Sequence, residues 1–282
     1  MALFKRVTIV GLGLIGGSLG MALRRRKLAQ EIVGFSRNPA TLRRAKARGA
    51  IDRGATTLRE AVREAEIIVL AAPVDRIPSL GRTAASFMMP GSILTDVGST
   101  KAAIVRQLEL TLHASPVVFV GAHPIVGSER RGIDAARADL FDGVCCILTP
   151  TARTDRTALR RVERLWRGVA GRVITMTPAA HDRLLAGTSH LPHVLAYGLA
   201  LSTEASSLPC VPRSLFDMTR LAESDPDLWD DIFLGNRAEL LNAIDRFDRQ
   251  LHLLRKRISD RKPRALKRAL AAAQARRHAL AR

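Results

Sequence analysis

A chain of 282 residues that is 47% hydrophobic is long enough for one large packed domain or two smaller ones, and too apolar to stay disordered. Its formal net charge of +19 suggests an anionic partner, yet eleven Lys/Arg against a single Asp fall between Arg255 and Arg282; this describes a solvated basic helix or tail and leaves the remaining charge for small anionic molecules, while aromatics at 4% argue against stacking on nucleic-acid bases. Three cysteines without a Cys-x-x-Cys pair exclude a disulfide framework and a structural zinc site, and fit a reducing cytoplasm.

Lys5-Arg6 followed by the uncharged run Val7 to Leu23 imitates a signal peptide or membrane anchor. The run holds five glycines and is short for a bilayer span of about 20 apolar residues. It reads better as a strand, Val7–Val10, a Gly11-Leu12-Gly13-Leu14-Ile15-Gly16 turn and a helix from Leu14 to Arg25. This is the opening of a dinucleotide-binding βαβ unit. Gly11 makes the tight turn, Gly13 lets the backbone approach a pyrophosphate, and Gly16 lets the helix pack on the strand. The helix start at Leu14 and Ile15 offers N–H groups to phosphate.

Further strands are expected at Ile32–Phe35, Ile67–Ala71, Ile93–Asp96, Val117–Gly121, Val144–Leu148 and Val173–Met176. Helices are expected between them at Pro39–Arg48, Leu58–Glu64, Ile77–Ser86, Ala102–Leu112 and Arg156–Ala170. Such alternation predicts an α/β, Rossmann-type doubly wound sheet, with chemistry at the carboxyl ends of its strands. The second strand ends in Ser36-Arg37 where an NAD site carries an acid, which favours NADP over NAD. Ala72-Pro73 lets a cofactor lie against the backbone. Thr95 to Lys101 places polar side chains at the nicotinamide end, with Ser99 either capping the next helix or facing a ligand. His123, directly after a buried strand, is placed as a general base.

After Met176 the alternation stops, so residues 1–177 are read as the nucleotide domain and 178–282 as an all-α substrate and dimerisation domain with a basic tail. His181-Asp182 opens this second part. His190 and His193 share a helix face, but no third ligand suggests a metal. Pro192 falls in the first turn of a helix running to Leu201. Arg220, in an apolar setting, calls for a carboxylate from the protein or from a ligand. Leu240, Ile244, Phe247, Leu251, Leu254 and Ile258 form a stripe that suits pairing with a second copy. Pro263 ends the stripe, and the basic segment beyond is expected to be partly disordered.

The stretches Gly11 to Ser18, Asp96 to Lys101, Gly121 to Glu129, Ser189 to His193, and Asp217 to Ala222 with Asp225-Pro226 and Trp229 closely resemble the bacterial prephenate dehydrogenases and the related arogenate and cyclohexadienyl dehydrogenases. The resemblance implies oxidative decarboxylation of a ring bearing a 4-hydroxyl and a C1 carboxylate, with NAD or NADP, in tyrosine biosynthesis. By the same resemblance His123 is the catalytic histidine and Ser99 its hydroxyl-bonding companion. Arg220 holds a substrate carboxylate, His193 and Ser128 contact substrate, and His190 and Ser189 line the cleft. Two departures stand out. Phe216 replaces a lysine that some members carry, which leaves prephenate and arogenate both open, and Arg131 could supply compensating charge. The competing readings are a β-hydroxyacid or imine reductase of similar architecture, and a non-catalytic nucleotide-binding or polyanion-binding protein.

Overall fold

The computed structural model describes residues 2–127, 130–204 and 211–280. Its centre is a run of parallel strands whose side chains are buried on both faces, which is why they read as unbroken apolar segments. β1 (Phe4–Val10) pairs with β2 (Ala29–Phe35) on one side and β4 (Ile67–Leu70) on the other. β3 (Arg53–Ala55), β5 (Ile93–Asp96) and β6 (Val118–Val120) complete a six-stranded parallel sheet in the order β3-β2-β1-β4-β5-β6. β3 escaped the sequence reading because three residues with one glycine and one arginine carry no apolar signature.

Helices cover both faces. α1 (Leu14–Arg25), α2 (Pro39–Ala47), α3 (Leu58–Val62), α4 (Ile77–Ala85), α5 (Ala102–Thr111) and α6 (Arg156–Val169) follow the expected segments within a few residues. One core joins Leu19 and Leu23 of α1 to Val162, Leu165 and Trp166 of α6. The other joins Ile77 of α4, Leu94 of β5 and Leu108 of α5 to Trp229 and Ile232 from the C-terminal half, so the two halves share an apolar core.

The last two expected strands lie outside the main sheet. After β6 the chain crosses at Gly121 and continues as β7 (Ala122–Pro124), which pairs antiparallel with β8 (Cys145–Leu148); β8 pairs parallel with β9 (Arg172–Thr175). These three strands form a separate small sheet. A Cβ at Gly121 would press on Thr149 Oγ1 and Val105, so only glycine lets the chain cross this closely.

Beyond β9 the described residues contain helices and no strand. α7 (Pro178–Leu185) starts at Thr177, whose hydroxyl accepts the Ala180 N–H. A single π-helical turn, Ala186–His190, joins it to α8 (Leu191–Ser202). Pro192 in the first turn of α8 has no N–H to donate backwards, and the wider turn before it absorbs that loss. α9 (Arg213–Thr219), α10 (Pro226–Gly235), α11 (Arg237–Ser259) and α12 (Pro263–Leu280) follow. The apolar stripe of α11 is buried only at its start: Leu240 and Ala243 are covered, whereas Leu251 is 50% and Ile258 62% exposed. Of the basic helix or tail expected beyond Pro263, the described residues form the helix, α12. It is helical throughout, in keeping with its alanine content. No helix among the described residues is long and apolar enough to cross a membrane.

Candidate active site

The glycine turn lies between β1 and α1. Gly11 has φ of +100°, and a Cβ there would collide with the Ala71 carbonyl at the end of β4. A Cβ at Gly16 would strike the Gly11 carbonyl, so the helix sits directly on the turn. Gly13 differs: nothing lies within 4 Å of its Cβ direction. It is the N-cap of α1 and offers no side chain to the first-turn N–H groups of Leu14, Ile15 and Gly16. Open space in front of uncapped N–H groups at a positive helix end is the shape a pyrophosphate fills. Ala72 and Pro73 border the same edge after β4, while Ser36 and the exposed Arg37 follow β2 on the far side of β1. The residues present therefore fit a dinucleotide.

The loop after β5 departs from expectation. Its polar side chains are mostly buried structural groups. Thr95 Oγ1 donates to the Val120 carbonyl at 2.7 Å. Asp96 accepts the Gly98 N–H at 2.9 Å and the Ala122 N–H at 3.1 Å, and pairs with the fully buried Lys101 ammonium. Lys101 also donates to the Ala122 carbonyl. This buried pair ties the Ser99 loop to the segment that carries His123. Ser99 itself is half-buried and does not cap α5. The cap is supplied from α7: Asp182 accepts the N–H groups of Lys101 (2.7 Å) and Ala102 (2.8 Å). A capping side chain 80 positions away leaves no local sequence signal.

His123, on β7, is buried, and its Nδ1 lies 2.8 Å from Nε2 of His181 on α7. His181 Nδ1 lies 2.8 Å from Asp182 Oδ1. Burial, reinforced by the neighbouring His181 and Lys101 charges, holds His123 well below the ordinary histidine range. Burial also lowers His181, against the opposing pull of Asp182. That lowering favours a neutral His123 imidazole, held against the helical half of the molecule. His181, Asp182 and Lys101 were visible in the sequence without an assigned role, and only the fold brings them together.

The contacts continue into the helical half. Asn236 Nδ2 donates to the Asp182 carbonyl (2.8 Å) and to His190 Nδ1 (3.1 Å). His190, on the π turn, is buried and pushed down to about 4 by that burial. Its ring meets Trp229 edge-on, and His193 stacks on the other part of the same indole. His193 Nδ1–H donates to the Ser189 carbonyl at 2.9 Å. Burial lowers His193, against the opposing hydrogen bond to the Ser189 carbonyl, and the Arg220 charge adds to the lowering. Arg220 is exposed, and no carboxylate among the described residues pairs with it. Among the described residues, the internal ion pair considered for it is not formed.

Ser128 lies outside the described residues. Arg131 pairs with Asp225, the residue whose carboxylate also caps α10, so its charge is already engaged. Phe216 is exposed on α9. Among the described residues no cluster of His, Cys, Asp and Glu could hold a metal ion.

The family described as prephenate dehydrogenase, nucleotide-binding domain, matches residues 19–175, and the one described as prephenate dehydrogenase, dimerization domain, matches residues 177–272. A cyclohexadienyl dehydrogenase from Zymomonas mobilis is 35% identical over 266 residues, covering 92% of this chain and 90% of that protein. A prephenate dehydrogenase from Bacillus subtilis is 34% identical, covering 88% of this chain and 69% of that protein. Among solved structures, Aquifex aeolicus prephenate dehydrogenase in complex with hydroxyphenyl propionate and NAD+ superposes with a TM-score of 0.91 at 32% identity, covering 98% of both chains. Synechocystis arogenate dehydrogenase superposes with a TM-score of 0.86 at 29% identity, covering 98% of this chain and 100% of that one.

Proposed function

The chain belongs to the prephenate dehydrogenase family, and on that premise we propose that it converts prephenate to 4-hydroxyphenylpyruvate and CO2 with reduction of NAD(P). The observation that carries the reading is the neutral, buried His123 bonded to His181 across the seam between the two halves. A carbinol oxidation needs a base within hydrogen-bond reach of the hydroxyl, and a histidine held neutral at physiological pH supplies it.

Gly11, Gly13, Leu14, Ile15 and Gly16 would hold the dinucleotide's pyrophosphate, with Ala72 and Pro73 along the same edge and Ser36 and Arg37 toward its adenosine, and the bound cofactor would supply the acceptor for the C4 hydride. His123 takes the 4-hydroxyl proton on Nε2 while Ser99 holds the same oxygen. Loss of CO2 from C1 sends its bonding electrons into the ring, which becomes aromatic, so the step is irreversible. Arg220 receives a substrate carboxylate bidentately, His193 and Ser128 contact substrate, and Ser189 and His190 build the wall behind them. The absence of an acid at the end of β2, with Arg37 exposed there, supports NADP over NAD.

We place the boundary between the nucleotide domain and the helical domain at residue 177. The exposed end of the α11 stripe supports a homodimer through the C-terminal helices. Unpaired Cys145 and Cys146 support a cytoplasmic setting.

A dual-specificity reading, with arogenate also accepted, is supported by His193. With Nδ1–H committed to the Ser189 carbonyl, its neutral ring keeps Nε2 as an acceptor, which suits a hydroxyl or an ammonium group as partner. The test is a two-by-two assay of the purified protein with prephenate or arogenate and NAD or NADP, followed by absorbance of the reduced nicotinamide. Turnover with prephenate is expected. No reduced cofactor from any of the four pairs would overturn the reading.

A further inference from the structure

We infer that His181 and Asp182 are positioning residues that set the tautomer of His123 and take over positive charge when it accepts the substrate proton. The inference rests on His123 being the base of the proposed reaction.

The hydrogen-bond chain admits one proton arrangement when both rings are neutral. A carboxylate oxygen can only accept, so His181 carries its hydrogen on Nδ1, facing Asp182 Oδ1. Its Nε2 is then a lone pair, and the 2.8 Å contact requires His123 to donate from Nδ1. His123 Nε2 is left unprotonated, the form a general base needs. The far end of the chain is tied down by further hydrogen bonds. Asp182 also accepts two N–H groups at the start of α5, and its own carbonyl is held by Asn236. Such a fixed acceptor resists the reorientation that would let the other tautomer in.

The charged and titratable groups around His123 decide where a proton can rest. His181 and Asp182 lie on its α7 side, Asp96 at the end of β5, Lys101 at the start of α5, His190 on the π turn and Cys146 on β8. Lys101 opposes a cation on either ring, and only at His181 do the Asp182 and Asp96 carboxylates work against it. When Nε2 takes the hydroxyl proton, transfer of the Nδ1 proton to His181 Nε2 leaves His123 neutral and His181 an imidazolium. That cation lies 2.8 Å from the Asp182 carboxylate. One proton enters at Nε2 and one moves between the rings, so the balance closes without another reactant.

The first test needs no turnover. Nitrogen-15 NMR of the histidine rings in the intact, ligand-free protein at neutral pH should show His123 and His181 both protonated on Nδ1. Hydrogen on Nε2 of His123 overturns the inference, whatever the substrate proves to be. The second test is kinetic. In Asp182→Asn the neutral amide no longer offsets a cation on His181, and where its NH2 faces His181 Nδ1 it reverses the tautomer along the chain. We expect kcat to fall about 100-fold, with KM and cofactor affinity within about threefold of wild type and the acid limb of the rate profile moved to lower pH. His181→Gln, whose carbonyl can still accept from His123, should retain about tenfold more activity than His181→Leu. Wild-type kcat and acid limb in Asp182→Asn, or equal activities of the two His181 variants, would sink it. A wild-type protein that shows the expected tautomers but turns over neither substrate would refute the reaction and leave the proton arrangement standing.

Discussion

Trp229 stacks on His193 with ring centroids 3.4 Å apart and planes inclined by 23°. The same indole meets His190 edge-on at 6.1 Å, so one aromatic side chain sets the orientation of both imidazoles of the Ser-His-Leu-Pro-His segment. Trp229→Leu should raise KM for the cyclic substrate about tenfold and change kcat less, because His123 is held by other contacts. It should also cost about 2–3 kcal/mol of stability, as expected for trimming a buried aromatic. Steady-state kinetics and urea unfolding check both parts; an unchanged KM contradicts the placement of substrate against this wall.

Replacing His123 by Asn removes the base and keeps a polar side chain of similar reach. The expected loss is about 100- to 10,000-fold in kcat, with KM and cofactor binding close to wild type. Circular dichroism should be unaltered. A variant with wild-type kcat would show that the proton leaves by another route.

Gly11 and Gly13 should respond in opposite ways to alanine. At Gly11 the side chain meets the Ala71 carbonyl and the backbone sits at φ +100°, so Gly11→Ala should lower stability by about 1–3 kcal/mol or more. At Gly13 the space is open, so Gly13→Ala should melt at the wild-type temperature yet bind the dinucleotide about tenfold more weakly. Calorimetry measures both quantities. Wild-type cofactor affinity in Gly13→Ala would place the pyrophosphate elsewhere.

Stability should fall as pH drops below neutrality. His190 titrates at about 4 in the folded chain against an ordinary value of 6.5, and burial lowers His123 and His181 as well. For a group whose folded value is depressed, the stabilising contribution is complete above the unfolded value. It is lost as pH falls towards the folded one, because the unfolded chain binds the proton first. The window is therefore about pH 6.5 to 4, and His190 alone contributes at most about 3 kcal/mol. Urea unfolding at pH 7.5, 6.5, 5.5 and 4.5 should trace the decline, and His190→Gln should make it shallower while His123 and His181 still contribute. A flat profile in the wild type would mean that these rings reach water.

The exposed end of the α11 stripe predicts a partner surface. Leu251→Lys combined with Ile258→Asp should convert a dimer into a monomer while leaving the fold of each chain intact, because neither side chain contributes to the buried core. Light scattering after gel filtration reads the mass. An unchanged dimer would locate the contact elsewhere on the helices.

The alternation of apolar strands with amphipathic helices, the glycine turn and the end of strand structure near residue 176 were all legible in the sequence, because each is written in neighbouring residues. Periodicity and glycine placement are local properties, and they carried the Rossmann sheet, the helices α1 to α6, and the position of His123 just past β6, though not the short strand β7 that holds it. Only the tertiary structure decided three other things. The chain leaves the main sheet at Gly121 because a remote Thr149 must be passed closely. Thr95, Asp96 and Lys101 turn inward because their partners, Val120 and Ala122, come from another strand. His123 finds His181, and α5 finds its cap in Asp182, across 58 and about 80 residues of chain. Hydrogen bonds of that kind depend on which surfaces the packed helices bring face to face, and no spacing along the chain encodes them.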